Sequence, residues 1–203
     1  MPTPAEALAL ILDRLAPLPA RRSPLESVLG LASPEDLVSA AMVPPFTNSA
    51  MDGYAVRAGD LAEASSARPV RLRVLGDLAA GGVPLRAVGP GEALRIMTGA
   101  PMPEGADSVV PVEDTTRGED WVETTRPLLP GIHIRLAGED LRPGQRLVPA
   151  GQGLRPGDLG VLAAAGIATL PVHPRPRVAV LTTGDELVDV SEEPGPGHIR
   201  DAN

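Results

Sequence analysis

"RPVRLRVLGDL", residues 68–78, decides the fold class. Val70, Leu72 and Val74 alternate with Arg71 and Arg73, the period of two expected of a strand with one buried and one wetted face. Downstream, "GEALRIMTGAPMP" (91–103), "ADSVVPVED" (106–114), "DWVETT" (120–125) and "GIHIRLAGED" (131–140) read as further short strands between Gly, Pro and Asp turns. Several short strands with turn signals between them predict a small barrel or sandwich.

Composition fits that reading. Of 203 residues one is Phe, one Tyr and one Trp, so the core must be built from Ala, Val, Leu and Ile. The 22 Gly and 24 Pro fall between apolar alternations, as turns and loops do. All 18 basic residues are Arg, against 26 acidic ones, and the net charge of −8 argues against a nucleic-acid footprint. An anionic substrate would then need local Arg side chains, backbone N–H groups or a bridging divalent cation. The absence of Cys excludes disulfides, thiolate nucleophiles and Cys-based metal sites. His133, His173 and His198 show no metal-ligand spacing. Glu6, Asp13 and Arg14 speak against a signal peptide, and the longest apolar run, Gly160 to Val172, is too short to span a membrane. A soluble, cytoplasmic protein is expected.

The flanks carry helical signals. Thr3-Pro4-Ala5-Glu6 matches a capping box with Pro at the first helical position, and Leu8, Ile11, Leu12 and Leu15 follow as one buried face. Ser23-Pro24-Leu25-Glu26 repeats the start signal with Gly30 as its stop, and Ser33-Pro34-Glu35-Asp36 opens a third candidate. Beyond residue 140 the pattern predicts a turn, a strand and a helix over 158–165 ended by Gly166. Val178-Ala179-Val180-Leu181 is a continuous apolar run, typical of a parallel strand buried on both faces.

Four polar positions fall at strand ends or turns: Asp52 in "SAMDGYA", Thr98 in "MTGAP", Glu139-Asp140 in "GED" and Asp185-Glu186 in "TTGDEL". Each also reads as ordinary turn chemistry. Gly53 beside Asp52 implies either a positive φ or a close approach by another group. "TTGDEL" is the sharpest candidate. Ligands of open α/β sheets bind beyond the carboxyl ends of strands, small residues expose N–H groups to an anion, and two carboxylates can hold Mg²⁺. It lacks the Gly-Lys-Ser/Thr ending of a P-loop, and no G-x-S-x-G elbow occurs.

"PPFTNSAMDGYAVRAGD", "RIMTGAPMPEGADSVVPVED", "HIRLAGEDLRPGQRLVPAG", "RPRVAVLTTGDEL" and "GHIRDAN" together resemble the molybdopterin molybdenumtransferase family, MoeA and the E domain of gephyrin, in its order and with roughly its spacing. The resemblance implies an α+β multidomain chain. Its parts would be N-terminal helices and linker over 1–45, a β-rich barrel-like lobe over 46–140, a return segment over 141–175, and the start of a truncated α/β molybdopterin-binding domain over 176–203. It further implies a homodimer that inserts molybdate into adenylylated molybdopterin in a Mg²⁺-dependent step, releasing AMP. Family members run to roughly twice this length, so the chain alone is expected to be inactive. The molybdopterin adenylyltransferase is the expected partner.

By the same matching, Asp52, Thr98, Asp140 and Glu186 carry catalytic roles, with Asp52, Asp140 and Glu186 on the metal. Thr183, Gly184, Asp185, Asp201 and Asn203 are expected to bind the pterin substrate. Mg²⁺ held by carboxylates would let anionic molybdate and pyrophosphate approach them and would polarise the anhydride that is cleaved. Two rival readings stay open: a non-catalytic scaffolding or binding module of the same fold, and an unrelated Mg²⁺-dependent nucleotide enzyme using "TTGDEL" as its phosphate loop.

Overall fold

The structure, a computed structural model, describes residues 2–202. The strands are short, as the spacing of turn residues requires. They are β1 (Arg21–Pro24), β2 (Leu37–Val38), β3 (Asn48–Ser49), β4 (Gly53–Val56), β5 (Val70–Leu78), β6 (Glu92–Ile96) and β7 (Ser108–Pro111). There follow β8 (Thr115–Arg117), β9 (Trp121–Thr124), β10 (Ile134–Arg135), β11 (Arg146–Val148), β12 (Thr169–Val172), β13 (Leu187–Val188) and β14 (Ile199–Arg200). The two α-helices are α1 (Pro4–Leu12) and α2 (Pro156–Ala164).

Six strands form one sheet in the order β7-β4-β6-β5-β9-β8. Neighbours are antiparallel except β5 and β6, which run parallel. The alternation in β5 appears as read: Leu72 is buried while Arg71 and Arg73 are exposed. β7 and β8 occupy opposite edges, yet only Val112–Asp114 joins them. A three-residue link can connect the two edges only if the sheet curls, and the result is a half-barrel.

The curled sheet is packed on both faces. Tyr54, Val56, Leu72, Ala93, Val110 and Val122 fill one side, and Ala55, Leu78, Leu94, Ile96 and Val109 the other. A separate core gathers Val28, Leu37, Val148, Leu154, Leu162, Leu170 and Val172. That core is made by residues before 45 and after 140, tied by the antiparallel pairs β1–β12 and β2–β11. α2 lies close to its expected bounds, with Leu162 fully buried and Gly166 at φ +78° just beyond it.

Four expectations need correction. Thr3 and Glu6 form the capping box and α1 exists, but Leu8, Ile11 and Leu12 on it and Leu15 beyond it are exposed, because nothing in the described chain packs on that helix. Ser23-Pro24 is not a helix start: both residues lie in β1, paired with β12, and only the short 3-10 turn Leu25–Ser27 follows. Ser33–Asp36 opens no helix; its backbone leads into β2. The run Val178–Leu181 forms no strand, and Val178, Val180 and Leu181 are exposed. A strand buried on both faces needs flanking strands and helices, and the described residues that follow supply only the two-residue parallel pair β13–β14. Among the described residues no helix is long and apolar enough to cross a membrane.

Candidate functional site

Asp52 sits where the chain enters β4. Gly53 does not need a positive φ; it needs to lack a side chain, because a Cβ there would lie 2.1 Å from the Val110 carbonyl oxygen. β4 is thus pressed directly onto β7, and the Asp52 carbonyl accepts from the Val112 N–H at 3.0 Å. The backbone of Asp52 is fixed while its side chain remains exposed.

Thr98 arrives from the other side. It follows β6 in a turn where Gly99 has φ +82° and the Ala100 N–H donates to the Met97 carbonyl at 3.0 Å. That turn is tied to β3, with Gly99 N donating to Ser49 O at 2.8 Å and Ser49 N to Ala100 O at 3.0 Å. The Thr98 N–H donates to Asp52 Oδ1 at 2.8 Å and the Thr98 hydroxyl to the same oxygen at 2.7 Å. The backbone bond from Thr98 and its hydroxyl bond hold the Asp52 carboxyl below the ordinary carboxylate range, outweighing burial, and the positive charge of Arg95 adds a lesser effect in the same direction. Oδ1 is committed to Thr98, while among the described residues no hydrogen bond engages Oδ2. An ionised carboxylate with one oxygen to spare is suited to a cation or to a proton on a ligand.

β3 also pairs with β10, Asn48 opposite Arg135 and Ser49 opposite Ile134. Through this pairing the segment 133–140 lies on the side of β3 away from the Thr98 turn. Arg135 donates from Nε to Glu139 Oε1 at 2.8 Å and from Nη2 to Asp140 Oδ2 at 2.5 Å. The Arg135 side chain and the Leu136 N–H hold Glu139 well ionised. Arg135 was absent from the expected set. Its signal in the sequence is an Arg four and five residues ahead of a Glu-Asp pair, a spacing that one guanidinium can bridge. Asp140 therefore acts as half of an ion pair, with its backbone N–H donated to the Val43 carbonyl at 2.9 Å.

Glu186 belongs to a different neighbourhood. Its carbonyl accepts from the Ile199 N–H at 2.8 Å, and Leu187 N donates to Gly184 O at 3.1 Å to close the "TTGDEL" turn. Thr182 Oγ1 donates to Asp201 Oδ2 at 2.5 Å, and Gly184 and Asp201 line one open cleft together with Asp189. Two of the expected pterin-binding positions thus meet. Thr183 and Asp185 are exposed in the same loop, and Asn203 lies outside the described residues. The expected metal set, Asp52, Asp140 and Glu186, is not assembled: among the described residues no three His, Asp or Glu side chains form a group able to hold a metal ion.

The curled β-rich lobe on its helix-and-strand base has the fold of solved molybdopterin-biosynthesis proteins. The crystal structure of the molybdopterin biosynthesis MoeA protein from Pyrococcus horikoshii OT3 matches 93% of this chain with a TM-score of 0.84 and 37% identity, over 50% of its own length. Residues 3–166 match the family model described as the MoeA N-terminal region (domain I and II), and the chain belongs to this family. It is 46% identical over 180 residues to molybdopterin molybdenumtransferase 2 of Mycobacterium tuberculosis (strain CDC 1551 / Oshkosh), covering 89% of this chain and 44% of that protein. It is 42% identical over 183 residues to the molybdopterin molybdenumtransferase of Bacillus subtilis (strain 168), covering 88% and 43% respectively. The chain spans somewhat under half the length of these curated relatives.

Proposed function

We propose that this chain supplies the N-terminal part of a molybdopterin molybdenumtransferase that inserts molybdate into adenylylated molybdopterin with release of AMP. The observation that carries the reading is the Asp52–Thr98 pair, an ionised carboxylate held by two bonds on a fixed backbone, in a chain of this family. Asp52 and Thr98 act at the reacting groups. Asp140, with Arg135, shapes the neighbouring edge, and Glu186 with Thr183, Gly184, Asp185, Asp201 and Asn203 forms the pterin-binding edge.

Among the described residues no three carboxylates gather, so Mg²⁺ here would draw on Asp52 together with substrate oxygens, the usual mode in which this ion keeps few protein ligands. Bound there, it would supply charge neutralisation for the two anions. Asp52 lies on the lobe and Glu186 on the β13–β14 segment, and a homodimer that sets one copy's lobe against the other's cleft would unite them. The exposed apolar residues of α1 are available for such an association. The adenylylated substrate places the molybdopterin adenylyltransferase immediately upstream, in the cytoplasm.

The test uses a protein of the relatives' full length that carries this chain. It is expected to release AMP from adenylylated molybdopterin when molybdate and Mg²⁺ are present. Asp52→Ala is expected to lower turnover about a hundredfold or more while melting nearly unchanged. A variant that melts earlier but turns over normally would assign Asp52 to turn chemistry and overturn the reading.

A further inference from the structure

Arg95 lies in β6 directly opposite Tyr54, and Gly53 lies opposite Ile96. Continuing that register by one residue sets Met97 against Asp52. Arg95 is then the diagonal neighbour of Asp52 on the same face, with backbones roughly 7–8 Å apart, within reach of an Arg side chain. On its other flank the partner strand β5 slips register between Val74 and Asp77. Gly76, with φ +144°, occupies that bulge. Uninterrupted pairing from Val74 opposite Ala93 would place Gly76 opposite Arg95 and turn Asp77 to the far face of the sheet. The extra residue instead brings Asp77 opposite Arg95, and Asp77 Oδ1 accepts from Arg95 Nη1 at 3.3 Å.

We propose that Arg95, anchored by Asp77, is an oxyanion-binding residue at the Asp52–Thr98 edge. Its ligand class is a tetrahedral oxyanion or the phosphate of an anionic substrate, a role that rests on the function proposed above. An exposed ion pair adds little stability, so what the Asp77 contact provides is a fixed direction for the guanidinium. Arg95 is half-buried, with 35% of its side chain exposed. A guanidinium carries five N–H donors, and among the described residues only the bond to Asp77 engages them. Thr98 has spent its N–H and hydroxyl on Asp52, and Arg135 is committed to Glu139 and Asp140. Arg95 is therefore the cation at this edge with donors to spare, and its charge offsets the repulsion that Asp52 exerts on an incoming anion.

Amide chemical shifts of Met97, Thr98 and Gly99 in the 203-residue chain test this, with sodium molybdate and inorganic pyrophosphate titrated separately to distinguish the two anion sources. Saturable shifts are expected with at least one of them. Arg95→Gln should weaken binding about tenfold or more, Asp77→Asn by less, and Arg71→Gln, on the Trp121 side of the lobe, should bind as the parent does. Absence of saturable shifts in the parent, unchanged binding in Arg95→Gln, or equal weakening in Arg71→Gln would overturn the proposal. AMP release is scored separately on the full-length protein. Loss of anion binding in Arg95→Gln, beside a parent that releases no AMP, would remove the proposed function and leave the anion site standing.

Discussion

The carbonyl oxygen of Val110 lies 2.1 Å from the point where Gly53 would carry a Cβ. That contact couples the placement of Asp52 to the packing of β4 on β7. Gly53→Ala must push β7 away or twist β4, since the obstacle is backbone and not a flexible side chain. The expected cost is about 1–3 kcal/mol or more. Thermal unfolding should register a melting point lower by roughly 2–4 °C per kcal/mol.

Thr98→Val removes the hydroxyl bond to Asp52 and keeps the backbone N–H bond. Asp52 should then protonate at a higher pH than in the parent, though still below the ordinary carboxylate range, as followed by carboxyl-carbon NMR. A carboxylate with a depressed folded-state pKa contributes stability that is present above its unfolded value, roughly 3.9, and is lost as pH falls through the folded value. The stability difference due to this bond, small because the pair is exposed, should therefore be present at neutral pH and fade below about pH 4. A difference that grows on acidification would refute the assignment.

Arg135→Gln separates Glu139 and Asp140 from their shared cation. Glu139 should titrate closer to an ordinary Glu, while the Leu136 N–H bond retains part of the effect. Because the pair is exposed, the melting temperature should move little. In the full-length protein the loss should appear in turnover, and unchanged turnover would reduce Arg135 to a loop fastener.

Leu162→Ala empties a fully buried position in the core shared by the first and last segments. A cost of about 2–5 kcal/mol is expected. Hydrogen exchange should accelerate in β1, β12 and α2 before it does in β4 to β9, because the two cores share no residue.

The elements legible in the sequence were those whose signal is local. β5 announced itself by alternation, α1 by its capping box and α2 by its Gly stop, and Asp52 and Thr98 by their place at strand ends. What failed depended on partners distant in the chain. Ser23-Pro24 has the chemistry of a helix start, but four residues of β12, some 147 positions away, capture it as a strand. Val178–Leu181 has a strand's composition without neighbours to pair with. Arg135 is marked in the sequence only by its spacing from Glu139 and Asp140, because its role arises from two carboxylates in the following turn and not from period or composition.

The chain leaves its smaller core at Val43 and returns at Leu141, and there each residue's N–H donates to the other's carbonyl at 3.0 Å. Every strand from β3 to β10 lies within this excursion. The threshold is therefore narrow: one antiparallel bridge closes a loop nearly half the chain long. Closure entropy grows only with the logarithm of loop length, about 0.6 kcal/mol for each doubling. Descendants of this scaffold can lengthen, trim or reshape the lobe almost freely, and the base that carries it will hardly register the change.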